Sequence, residues 1–125
     1  MNDRELIELA AKAAGIEIQW ESDGSIQNRM NRPTIPYFCQ NMSSAIDWNP
    51  LTDDGDALRL AVKLWIDVSF PPYREPDPPV VHAGMYWDVS DSLWYRYEEL
   101  RGADPYAATR RAIVKAAAQI GREMK

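Results

Sequence analysis

The chain has 125 residues, of which 46% are hydrophobic, and a net charge of −5. This size and apolar content fit a single domain over residues 1–125 with one hydrophobic core. The acidic balance argues against binding to a phosphate backbone, so we expect no nucleic acid partner. Because no apolar run approaches about 18 residues, we expect no membrane partner, and the lone Cys39 favours a reducing cytoplasm.

The first predicted helix begins after Asn2, whose side chain can cap it, and ends at Gly15. Residues 16–21 alternate apolar and polar side chains, which predicts a strand. Turn residues follow at 22–25, and a weaker alternation over 26–30 is compatible with the second arm of a hairpin.

Residues 31–47 lose this regularity. Pro33 and Pro36 interrupt the segment, and its apolar residues are scattered among Ser and Asn. We therefore predict a loop that lies over the core. Long loops in compact domains are often functional, which makes this segment a candidate site region.

The most apolar stretch is the predicted mid-chain helix, which follows Trp48 and has an acidic first turn. At about 100° per residue, apolar side chains cover more than half of its surface, and Asp56, Arg59 and Lys63 share the remaining strip. We expect a mostly buried helix around which the other segments pack. Its apolar residues are Ala57, Leu58, Leu60, Ala61, Val62, Leu64 and Trp65.

Residues 66–70 alternate again and predict a strand that follows the helix directly. The next segment, residues 71–79, holds five prolines, which prevent both a helix and an interior strand. We predict a stiff, exposed connector. The alternative is a proline-rich ligand for an SH3-like partner.

Residues 80–89 and 93–97 predict a hairpin whose first strand is broken at Gly84. The last helix is predicted to start at Asp104 as its cap, with Pro105 in its first turn. Its predicted inner stripe comprises Tyr106, Ile113, Ala117, Ile120 and Met124. Together, these elements predict an α+β fold in which a small, mainly antiparallel sheet of about four or five strands packs with an N-terminal, a central and a C-terminal helix.

Two segments carry a resemblance to a known family. Residues 48–64 and the Ala-rich residues 108–122 resemble small uncharacterised phage and prophage proteins related to the phage-encoded alpha-beta-alpha sandwich domain. The resemblance implies that the two corresponding helices flank a small sheet, and that the protein works in the cytoplasm of a bacterial host. It implies neither an activity nor catalytic residues.

No motif in the chain predicts catalysis. The acidic run at residues 53–56 fails the EF-hand spacing because Leu64 stands where a Glu is needed, so we interpret it as the favoured first turn of a helix. Cys39 and His82 could form a nucleophilic pair, but neither has a local signature, and zinc would need more such ligands. The adjacent carboxylates Glu98 and Glu99 should point to opposite faces of a strand or lie on a solvated helix end. We expect no catalytic residues, no metal and no cofactor.

The favoured binding constellation combines aromatic rings with arginines. Rings on the predicted hairpin could stack on a flat ligand, while arginines opening the last helix neutralise an anionic group. The candidate residues are Trp87, Trp94, Tyr95, Arg96, Tyr97, Arg110 and Arg111. The alternative is that the rings belong to the core and the arginines solvate a helix face.

Two functional hypotheses follow. In the first, the protein is a non-enzymatic phage accessory protein that binds a host protein, as counter-defence or host-takeover factors do. In the second, it binds a small anionic, nucleotide-like molecule through Arg110 and Arg111. An enzyme of unknown class is the third option, and a homodimer is compatible with each.

Overall fold

The computed structural model describes residues 2–21, 32–39, 42–86 and 93–124. Within these ranges the chain forms three helices and six strands. In chain order they are α1 (Asp3–Ala14), β1 (Gln19–Glu21), β2 (Arg32–Cys39), β3 (Met42–Asp47), α2 (Asp54–Leu64), β4 (Asp67–Ser69), β5 (Val80–Tyr86), β6 (Leu93–Leu100) and α3 (Pro105–Glu123).

The strands form two antiparallel sheets of three strands each, in the orders β1-β2-β3 and β4-β5-β6. In the first sheet, Thr34 of β2 stands between Gln19 and Asp47. In the second, Ala83 of β5 stands between Val68 and Tyr97. The predicted α+β class with three helices is therefore confirmed. The single sheet of four or five strands is not.

The caps predicted for the first and last helices are present, and α2 begins in the acidic run at residues 53–56 that was interpreted as its first turn. The Asn2 side chain accepts a hydrogen bond from the Glu5 amide at 2.8 Å, and Asp104 accepts one from the Ala107 amide at 3.0 Å. Asp53 caps α2 in the same way. Gly15 ends α1 with a φ of +70°, a conformation that glycine adopts without steric cost.

The helix on which the other elements converge is α3, which packs against α1, α2, β5 and β6. Small side chains make this possible, because a run of alanines lets the neighbouring backbones approach closely. Its buried residues are Ala108, Ala112, Ile113, Val114, Ala116, Ala117, Ala118 and Gly121.

The prediction that the mid-chain helix is the buried centre is wrong. Only Asp56, Ala57, Leu60 and Ala61 of α2 are buried. The other side of α2 faces solvent. On α3, Tyr106 was expected to face inward but is exposed. Periodicity reports where apolar side chains stand on a helix, but tertiary packing decides which of them are covered.

The predicted loop at residues 31–47 is also wrong, since these residues contain the hairpin of β2 and β3. Its prolines are tolerated because β1 pairs only with residues 32–34 and β3 pairs only with residues 34–39. Pro33 and Pro36 therefore each have a paired strand on one side alone, so a missing amide donor need not interrupt a ladder. The strand expected at 26–30 lies outside the described residues.

The C-terminal half follows the predictions with three changes, the first being that β4 covers only Asp67–Ser69 of the predicted strand at 66–70. β5 runs through Gly84 without a break, and β6 extends three residues beyond the predicted end at Tyr97. The connector at residues 71–79 forms neither helix nor strand. Arg101 fastens it to the sheet by donating hydrogen bonds to the carbonyl oxygens of Val80 and Pro71, both at 2.7 Å.

Candidate functional site

An exposed apolar surface lies on the outer side of α2 and on the two segments beside it. Trp65 at the end of α2 is 88% exposed, and Leu58 and Val62 are 63% and 68% exposed. Large apolar side chains that cluster in the open are uncommon on monomeric proteins and mark interaction surfaces. We call this cluster the α2 surface; it comprises Leu58, Val62, Trp65, Phe70 and Tyr106.

A groove with a volume of about 610 Å³ runs beside α2. Its floor includes the buried side chains Ala57, Ala61 and Ile113, and its rim includes the exposed rings Phe70 and Tyr106. A second depression of about 500 Å³ extends toward Trp65 and shares residues of α2 and β4 with the first. The two form one concave apolar strip.

The α2 sequence accounts for this arrangement. Leu58 and Val62 are four residues apart, which places them on one side of the helix, and the C-cap residue Trp65 lines the same depression. Ala57 and Ala61 stand on the neighbouring side, where they are buried, and α2 packs against α3. The helix is apolar over more than half of its circumference, but only part of that surface is covered.

Trp65 has an unusual backbone as well as an exposed ring. It caps the C-terminus of α2 with a φ of +58°, in the left-handed region where glycine or asparagine normally stands. For a bulky residue this conformation costs about 1–2 kcal/mol. Because the ring is exposed, little packing offsets that cost. Such strain is frequent at binding sites.

Carboxylates stand at the edge of the α2 surface. Asp54 lines the groove and Asp67 lines the second depression. Arg110 also lines the groove, but its guanidinium donates to the Asp54 carboxylate at 2.6 Å and to the Leu51 carbonyl oxygen at 2.8 Å. The side-chain carboxylate of Asp67 accepts no hydrogen bond and forms no ion pair in the part of the chain that the structure describes.

The structure separates the two arginines of the predicted constellation. Arg110 contacts the start of α2, whereas Arg111 pairs with Asp3 of α1 at 3.0 Å. The Tyr97 hydroxyl donates to Gln119 of α3 at 2.9 Å, and Arg96 is exposed on β6. The nucleotide-like ligand remains a prediction.

Three members of that constellation lie wholly or in part outside the described residues. Trp94 and Tyr95 belong to β6, but their side chains lie outside the described residues. Trp87 lies outside them altogether.

The residues considered for catalysis are distributed over different faces. His82 contacts Glu98 at 3.1 Å, and Glu99 pairs with Lys115, so the adjacent carboxylates do point to opposite sides of β6. Cys39 lies in the other sheet, and its side chain is outside the described residues. Over 2–21, 32–39, 42–86 and 93–124, no three His, Cys, Asp or Glu side chains gather as metal ligands would.

The α2 surface was missed from the sequence because its residues were interpreted as core. One signal was available. An apolar arc wider than half of a helix exceeds what one packing partner covers, so part of it could have been assigned to a partner. Phe70 and Tyr106 gave no such signal, since their positions fit an inward-facing strand and stripe equally well.

None of the helices in the described part of the chain combines the length and apolarity of a bilayer span. In comparisons with known proteins, the chain matches no family model, no curated protein and no solved structure at a significant level.

Proposed function

We propose that the protein acts by binding a partner protein through the α2 surface, as a phage accessory protein that binds a host protein would. The supporting observation is Trp65, which combines a left-handed backbone with a ring that is 88% exposed. Both features are unfavourable in the isolated chain. A partner that covers the Trp65 ring would make the position of the ring favourable, because the ring would then be removed from water.

The surroundings of Trp65 support the same role. Burial of an apolar side chain contributes about 25 cal/mol per Å² removed from water, and aromatic residues contribute most to interface energies. Trp65, Phe70 and Tyr106 supply three exposed rings on one surface. The concave strip beside them can receive a convex element of a partner.

The partner should carry apolar residues together with positive charge. Its apolar residues would cover the α2 surface, and a positive charge would face Asp67 at the edge, since Asp54 is already paired with Arg110. Complementary charge of this kind raises the association rate and selects among partners. A host protein with a basic, apolar patch meets these requirements.

Photo-crosslinking in bacterial cells tests the proposal. A photo-crosslinking amino acid replaces Val62 in the α2 surface, and a matched variant carries it in place of Glu8, which is exposed on α1. We expect one dominant protein adduct from position 62 that is absent from position 8. The Trp65→Asn substitution should remove this adduct. The control substitution Tyr73→Ala, which removes an exposed ring from the connector, should leave the adduct unchanged. Equal adducts from positions 62 and 8 would contradict the proposal.

A further inference from the structure

We propose that the partner element is an amphipathic α-helix with basic residues beside its apolar stripe, an inference that rests on the proposed function and specifies its partner. The spacing of the exposed residues on α2 is the first observation. Leu58 and Val62 occupy positions that would be d and a of a heptad, and Trp65 follows three residues later as the left-handed C-cap of α2. A second helix can pack against such a row when its own apolar side chains have the same spacing.

The dimensions of the strip fit a helix. The row from Leu58 to Trp65 spans about 10 Å along α2, at about 1.5 Å per residue. Ala57 and Ala61 on the groove floor have the shortest side chains that retain a Cβ, so they permit a close approach of another backbone. Phe70 and Tyr106 at the rim then contact the flank of the docked helix.

A docked strand fits less well. β4 is an edge strand of its sheet in the part of the chain that the structure describes, and a partner strand would have to pair with it. It has only three residues, Asp67–Ser69, and the proline connector begins two residues later. Short edges that carry a charge and are followed by proline resist the addition of another strand.

Charge decides between a foreign helix and a second copy of this chain. In a symmetric dimer the same surface of each copy would meet, so each copy would bring the Asp67 carboxylate to the interface, whereas Asp54 is already paired with Arg110. Each copy also has a net charge of −5, which opposes association. A helix with lysines or arginines beside its apolar stripe places the opposite charge at the Asp67 carboxylate.

Three synthetic peptides of about 18 residues, about five helical turns, test the inference. The first has leucines at a and d and lysines beside them. The second replaces the lysines with glutamates, and the third has two prolines in its centre. Isothermal titration calorimetry measures the affinity of each peptide for the full chain, for the Trp65→Asn variant and for the Tyr73→Ala control.

We expect the basic helical peptide to bind the full chain and the Tyr73→Ala control equally. Glutamates, central prolines or the Trp65→Asn substitution should each weaken binding at least about 10-fold, because each removes charge complementarity, helical structure or the main apolar contact. Equal binding of the three peptides would overturn the inference.

The inference and the proposed function can fail separately. If the position-62 adduct forms but the basic peptide does not bind, the partner uses another element and the inference alone fails. If neither occurs, both fail. Two other results would also overturn the inference. Sedimentation velocity that shows a Trp65-dependent dimer would assign the α2 surface to a second copy of the chain. Trp65-dependent sedimentation with phosphatidylcholine vesicles would assign it to a lipid surface.

Discussion

Gly121 of α3 packs directly against the backbone of Leu9 in α1, so closely that a methyl group on Gly121 would overlap the Leu9 carbonyl oxygen. The obstructing atoms belong to the main chain, so a side-chain rotation cannot relieve the overlap. The absence of a side chain at residue 121 therefore sets the distance between the two helices.

Gly121→Ala should lower the free energy of unfolding by about 1–3 kcal/mol or more, because the helices must separate to admit the methyl group. Urea denaturation measures the loss. Gly15→Ala is the matched control: nothing lies within 4 Å of its new methyl group, and only its φ of +70° makes it unfavourable, by about 1 kcal/mol. A Gly121→Ala protein as stable as the original chain would contradict the packing described.

Asp56 is a polar residue of α2 that is only 8% exposed. Its carboxylate accepts a hydrogen bond from the backbone amide of Asn49 at 3.0 Å and another from the Arg59 guanidinium at 2.8 Å. Asp56→Ala leaves the Asn49 amide without this acceptor, so we expect a loss of about 1–3 kcal/mol in the free energy of unfolding. Asp56→Asn keeps an acceptor for that amide and should cost less. Equal losses for the two variants would show that the bond to Asn49 contributes little.

Arg110 and Arg111 should differ in their effect on stability. The Arg110 side chain is 16% exposed and donates to both Asp54 and Leu51, whereas the Arg111 side chain is 39% exposed and, among the described residues, pairs with Asp3. We expect Arg110→Ala to lower the free energy of unfolding by about 1–2 kcal/mol, after allowing for the solvent exposure of Asp54. Arg111→Ala should cost at most about 1 kcal/mol. Thermal and urea unfolding of both variants check this order. A larger loss of unfolding free energy for Arg111→Ala than for Arg110→Ala would contradict the prediction.

The helices were predictable because their ends carry local signals. Asn2 and Asp104 use their side chains to satisfy amides that lack a helical partner, and Gly15 supplies the left-handed residue. Each interaction depends on residues close together in sequence. The α+β class followed from these helices and from short alternating segments, without knowledge of the tertiary packing.

What could not be predicted depends on contacts between distant segments. The strands β2 and β3 were missed because their prolines disfavour a strand unless one side of it is unpaired, and that depends on the length of β1. The division into two sheets depends on pairing that no single segment specifies.

The α2 surface was missed for a related reason. A buried apolar side chain and an apolar side chain reserved for a partner have the same sequence pattern. Leu58 and Leu60 both belong to the apolar arc of α2, yet only Leu60 is buried. The position of α3 decides the difference.

Trp65→Asn should separate stability from binding. Asparagine tolerates the left-handed region that Trp65 occupies, and the exposed indole contributes little packing within the chain. We therefore expect the free energy of unfolding to stay the same or to rise by up to about 1 kcal/mol. A loss greater than about 1 kcal/mol in urea denaturation would show that the fold requires the tryptophan.

The most direct measurement is the yield of the partner adduct from a crosslinker at position 62, compared between the original chain and the Trp65→Asn variant. If the α2 surface binds a partner protein, the yield falls at least about 10-fold although the variant is as stable as the original chain. An undiminished yield from a fully folded variant would contradict the role of this surface.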